Sequence, residues 1–187
     1  MNNRLTQAAG LIAGVMIFLF QPMKTAEAEI QPSPYIEEIV AAVDNISPEA
    51  PAEIPKVLYD VPLYEHEQEV IRDICFFYGI DMKLVLAIAS KESNYQEDAV
   101  GDKGRSLGMY QIQPQYCEDI YSDEGPINLL DKYEATVACC KVLNYLYERY
   151  QDTMKVLNAY NTGDPDNYNG YSADILRIME EIQTWEL

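Results

Sequence analysis

Leu84-Val85-Leu86-Ala87-Ile88-Ala89-Ser90-Lys91-Glu92-Ser93, within residues 81–114, is an apolar run closed by a carboxylate. Apolar residues fall on every side of the predicted helix, which marks it as buried rather than superficial. Asp81 is placed to cap its start. Val85, Ile88, Ala89 and Glu92 share one face, so the carboxylate leaves the helix from otherwise apolar surroundings. Low-dielectric walls and the negative end of the helix dipole both disfavour a carboxylate anion, so Glu92 should hold its proton more tightly than a free Glu. A proton held towards neutral pH is what a general acid requires.

Downstream lie a Gly-rich loop, Gly101-Asp102-Lys103-Gly104, then Gly108-Met109-Tyr110-Gln111-Ile112, and later Ala159-Tyr160-Asn161-Thr162-Gly163. With Glu92-Ser93, these stretches resemble in order and spacing the successive motifs of the soluble-lytic-transglycosylase (SLT) family, lysozyme-like proteins that cleave peptidoglycan. The resemblance covers residues 64–179. Met109 and Tyr110 depart from the usual Gly-Leu-Met-Gln pattern but keep bulky side chains there. The implied fold is mainly α, a lysozyme-like domain with a short irregular or β-like segment around residues 106–113.

The resemblance also implies a chemistry. Glu92 would be the catalytic residue, protonating the glycosidic oxygen between MurNAc and GlcNAc and then taking the proton of the MurNAc C6 hydroxyl as that oxygen attacks C1. The product would be a 1,6-anhydroMurNAc end, with the N-acetyl group supporting the intermediate and no cofactor. Ser93, Tyr110, Gln111, Tyr160, Asn161 and Tyr171 are the expected substrate-contacting residues, Ser93 by helping to place the Glu92 carboxyl. A muramidase that admits water stays open if Asp98 or Asp102 reaches the far side of the sugar, since most glycosidases use two carboxylates. A non-catalytic peptidoglycan-binding module also stays open, as does an adaptor of a secretion, conjugation or phage-like assembly.

Towards the N-terminus, Arg4 precedes an apolar run over residues 8–20, and Ala26-Glu27-Ala28 supplies small residues at cleavage spacing. Residues 1–28 therefore read as a signal peptide, with an uncleaved anchor as the rival. Export to the outside of the cell or to the wall follows as an expectation, with no stable membrane association after cleavage and a monomer as the expected state. Residues 29–62 are Pro-punctuated and acidic, the composition of a linker. Within it, Ile36, Ile39, Val40 and Val43 share a helical face, read as transient helicity or packing on the domain rather than a docking motif. Residues 63–187 form the expected single domain.

The formal net charge is −18 and the sequence pI about 4.2, which excludes nucleic acid as a partner. Residues 64–78 carry Val70, Ile71, Ile74, Phe77 and Tyr78 at helical spacing with Gly79 as the stop, and Glu65, Glu67 and Glu69 as a solvated face. His66, the single His, reads as a surface residue, and no clustered His or Cys spacing suits zinc. Residues 130–150 predict the longest helix, Asp152 caps the next over 153–160, and Ser172 caps a last one with Ile175, Ile178, Met179, Ile182 and Trp185 in a stripe. Residues 164–170 alternate oxygen ligands, but the glycine comes one place late and Ile175 stands where a calcium loop needs its Glu. Cys75, Cys117, Cys139 and Cys140 allow disulfides in any of three connectivities, or none if they are buried small hydrophobes. Of the 15 Tyr, Tyr95, Tyr110, Tyr116, Tyr121, Tyr160, Tyr168 and Tyr171 fall in stretches expected as cleft loops.

Overall fold

The computed structural model describes residues 56–122 and 125–185. The expected signal peptide over 1–28, the stretch over 35–43 expected to share a helical face and most of the expected linker lie outside them. Among the described residues there are six helices: α1 (Glu65–Tyr78), α2 (Met82–Ser93), α3 (Pro114–Tyr121), α4 (Lys132–Tyr150), α5 (Thr153–Thr162) and α6 (Tyr171–Glu181). Two short antiparallel strands, β1 (Val100–Gly101) and β2 (Ser106–Leu107), pair Val100 with Leu107, and Leu107 also bridges to Ile112. The fold is thus mainly α with a β-like segment after α2.

The α2 run is buried as its composition demands: residues 84–89 are each no more than 3% exposed. Burying one such aliphatic side chain contributes roughly 1.5–3 kcal/mol, so this helix is a principal source of core stability. Asp81 caps it by accepting from Lys83 N at 2.9 Å, and Asn94 ends it in the left-handed region at φ 52°. α2 packs against α6 and α1, while α4 packs against α1, α3 and α5. Asp131 and Asp152 cap α4 and α5, and Gly79 stops α1 at φ 66°. No helix of the described residues is long and apolar enough to cross a membrane.

Several expectations are corrected by the tertiary structure. Glu67 is not part of a solvated face. It is buried, accepts from Tyr64 N at 2.8 Å and pairs with Lys132, which also reaches Glu97 at 3.1 Å. Ser172 sits inside α6 and is buried; Gly170, at φ 90°, holds the cap position because the chain must turn sharply there. Trp185 lies beyond α6 and is exposed, so the apolar stripe ends at Ile182. Residues 114–121 form a helix where the sequence predicts a loop. Pro114 starts it, since proline's fixed φ and missing N–H suit the first helical position. The end of the expected linker belongs to the fold: Leu58 is buried and Tyr59 bridges to Thr184. All four cysteines are free thiols, with Cys75, Cys139 and Cys140 buried.

Candidate active site

Glu92 stands in the last turn of α2 and its carboxyl faces a cleft of about 880 Å³. Tyr171, the first residue of α6, donates its hydroxyl to Glu92 Oε1 at 2.6 Å. Burial pushes the Glu92 carboxyl above the usual range; the Tyr171 hydrogen bond and Lys91 pull it partly back, and Asp102 pushes it up again. The net direction is upward. Tyr171 is itself buried beside that carboxylate, which drives its phenol far above the ordinary value and keeps it a donor. Lys91 bonds Asp174 at 2.6 Å, tying the end of α2 to the start of α6 where this pair of groups meets.

The turn from Gly108 to Gln111 is held against α2 and α5 by side chains from both. Ser93 Oγ donates to the Met109 carbonyl at 2.8 Å and Tyr160 OH to the Tyr110 carbonyl at 3.0 Å. Gln111, at φ 48°, folds back so that its Nε2 donates to the Gly108 and Ala99 carbonyls at 2.9 and 3.2 Å. Gly101 leaves room for it, because a Cβ there would come within 2.1 Å of Gln111 Oε1. Asp102 lines the same cleft as Glu92. Its Oδ2 accepts from Gln113 Nε2 at 2.9 Å and Ser106 Oγ at 3.2 Å, which fixes the carboxylate of an otherwise exposed loop residue.

Of the residues expected from sequence, Glu92, Gln111, Tyr160 and Asn161 line the cleft. Asn161 is exposed, and its Oδ1 accepts from Asn169 at 2.8 Å. Tyr110 does not reach the cleft: it is fully buried with its hydroxyl on Thr136 Oγ1 at 2.8 Å, so it is a core residue. Ser93 spends its hydroxyl on Met109 rather than on the Glu92 carboxyl. Tyr171 touches Glu92 and not the open cleft. Sequence reasoning offers Asp102 only as an alternative to Asp98 for a second carboxylate and misses Gln113 and Ser106, which hold it. Val142, Tyr145, Leu146, Arg149 and Tyr150 also line the cleft, and their i, i+3, i+4, i+7, i+8 spacing was the available signal. Tyr116, Cys117 and Ile120 of α3 line it as well. Among the described residues no group of His, Cys, Asp or Glu could hold a metal ion.

A family model for the transglycosylase SLT domain matches residues 71–173, which is more than half of the chain and contains Glu92, Tyr171 and every residue that lines the cleft. No solved structure matches the chain significantly.

Proposed function

Because the chain belongs to the transglycosylase SLT family, we propose that it cleaves the β-1,4 bond between MurNAc and GlcNAc of peptidoglycan without water, leaving 1,6-anhydroMurNAc ends. The observation that carries this reading is a half-buried carboxyl with raised proton affinity, hydrogen-bonded by Tyr171 and open to a cleft large enough for several sugars. Glu92 gives its proton to the glycosidic oxygen, the C1–O bond breaks, and the electron pair leaves with the GlcNAc oxygen. The Glu92 carboxylate then takes the proton of the C6 hydroxyl as that oxygen bonds to C1. Acid and base are one residue used twice, so the enzyme returns to its starting state and no cofactor enters. Tyr171 steadies the carboxylate between the two steps, and Gln111, Tyr160 and Asn161 shape the sugar site around it. Action on the wall outside the membrane fits this substrate and the signal-peptide reading of residues 1–28.

One observation favours a second reading, hydrolysis by a muramidase: Asp102 shares the cleft and is held by Gln113 and Ser106. A carboxylate across from the acid is what an inverting glycosidase uses to activate water. Asp98 is exposed and does not line the cleft, which leaves Asp102 as the residue to test. Mass analysis of muropeptides released from purified peptidoglycan separates the readings. The transglycosylase yields anhydro products and Asp102→Asn keeps most of the rate. Products heavier by one water, with the rate lost in Asp102→Asn, would establish the muramidase, and no released product from folded enzyme would remove the catalytic reading.

A further inference from the structure

The cleft does not end at the sugar site around Glu92. It continues between α3, which presents Tyr116 and Ile120, and one face of the C-terminal half of α4, which presents Val142, Tyr145, Leu146 and Arg149. Cys139 of α4 lies 3.8 Å from the Tyr160 hydroxyl, beside the sugar site. Arg149 is about 15 Å further along the same helix. Among the described residues it is the one cation lining a cleft that also carries Glu92 and Asp102, in a chain of net charge −18.

Its guanidinium is held in place. Nη1 donates to Tyr145 OH at 2.8 Å, and the guanidinium carbon lies 5.1 Å from the Tyr145 ring centroid. A cation in the last turn of α4 also suits the helix dipole, but any position of that turn would serve the dipole equally. Placement on the cleft face, stacked on an aromatic ring with further N–H donors to offer, is the arrangement that receives a carboxylate in a bidentate fork. No described carboxylate pairs with it.

We infer that Arg149 is a specificity-determining residue that pairs with a carboxylate of the peptide branch carried by the glycan strand. The inference rests on the peptidoglycan reading above. The sugar backbone of the strand is neutral, so an anion in the cleft can come only from its substituents: the peptide, or the lactyl group where the peptide has been removed. The peptide is the occupant that matches the rest of the groove, because Ile120, Val142 and Leu146 offer apolar walls to alkyl side chains that a bare lactyl group lacks.

The test compares wild type, Arg149→Gln and Arg149→Lys on three substrates: peptide-bearing strands, amidase-stripped strands with free lactyl carboxylates, and stripped strands with those carboxylates capped as amides. Expected for Arg149→Gln on peptide-bearing strands is a rise in KM of about fivefold, the scale of one exposed ion pair, with the loss confined to KM. Arg149→Lys recovers part of it, and the penalty disappears on both stripped substrates. A penalty on the uncapped stripped strands that vanishes on capping would assign the anion to the lactyl group and overturn the peptide. Equal penalties on all three would overturn any carboxylate. A gain of activity on all three would point to an acidic segment of the chain itself as occupant, and would also overturn the inference. Product masses from the wild type report separately on the anhydro reaction, and co-sedimentation with peptide-bearing strands reads the ion pair whether or not turnover occurs.

Discussion

In the proposed reaction Glu92 holds a proton and then accepts one, and its surroundings bear on both. Replacing it with Gln keeps the shape and removes both transfers, so lysis should fall by at least about 10³- to 10⁴-fold, measured as turbidity loss of a wall suspension. Stability should respond with a definite sign. Burial raises the folded-state pKa above the ordinary 4.5, so the contribution of Glu92 to stability is full below that value and is lost as pH rises through the folded pKa. Gln stays neutral throughout. The melting temperature of Glu92→Gln relative to wild type should therefore be higher at about pH 7 than at about pH 4, and the opposite ordering would contradict a raised pKa. Tyr171→Phe removes the donor that favours the Glu92 anion, so the Glu92 pKa should climb further. The alkaline limb of the rate profile should then move to higher pH, with kcat lowered about 10- to 100-fold from the lost charged hydrogen bond. A limb displaced to lower pH would show that the phenol does not hold the carboxylate. Ser93 and Tyr110 were legible as motif members, yet their hydroxyls serve Met109 and Thr136, a distinction that one-dimensional order does not carry.

At the scale of elements, the turn after β2 joins α2 to the rest of the cleft, and one glycine controls how closely it fits. Gly108 has φ +72°, and a Cβ there would come within 1.7 Å of the Leu129 carbonyl oxygen, which is backbone and cannot swing away. Gly108→Ala should therefore cost more than about 2 kcal/mol in urea unfolding, since the left-handed conformation and the clash add. Gly104→Ala supplies the comparison. It shares a positive φ but meets nothing within 4 Å, so only the conformational part, about 1–2 kcal/mol, should appear. Equal costs at the two sites would mean that the turn does not rest on Leu129. Two helix starts are readable from sequence, because Asp81 and Asp152 announce caps by chemistry alone, whereas α4 starts two residues later than expected, behind its Asp131 cap. Glu134 gains its role only in the folded chain, where its Oε2 accepts from Asn128 N at 2.7 Å ahead of α4.

For the whole molecule, the described fold begins with a strap that sequence composition assigned to a linker. Leu58 is 6% exposed and its carbonyl accepts from Trp185 N at 2.7 Å, while Asp60 N donates to Gln183 O at 3.0 Å. Gln68 is fully buried and exchanges two hydrogen bonds with the Tyr59 backbone, at 2.9 and 3.0 Å. A chain starting at Tyr64 should melt on the order of 10 °C below one starting at Lys56, because it loses about 2 kcal/mol of Leu58 burial and strands a buried amide at about 1–3 kcal/mol. Coincident melting curves would show the strap to be dispensable. By itself, the sequence determined the buried α2, the carboxylate that ends it, most helix boundaries and the family, because apolar periodicity, capping chemistry and ordered motifs act between residues close along the chain. Only the tertiary structure decided that Glu67 pairs with Lys132, that Tyr171 holds Glu92, that Asp102 shares the cleft and that Arg149 lines its far end. Each of those is a meeting of side chains distant in sequence. Which residues meet depends on how helices cross and where a loop turns back, and local propensity is silent on both.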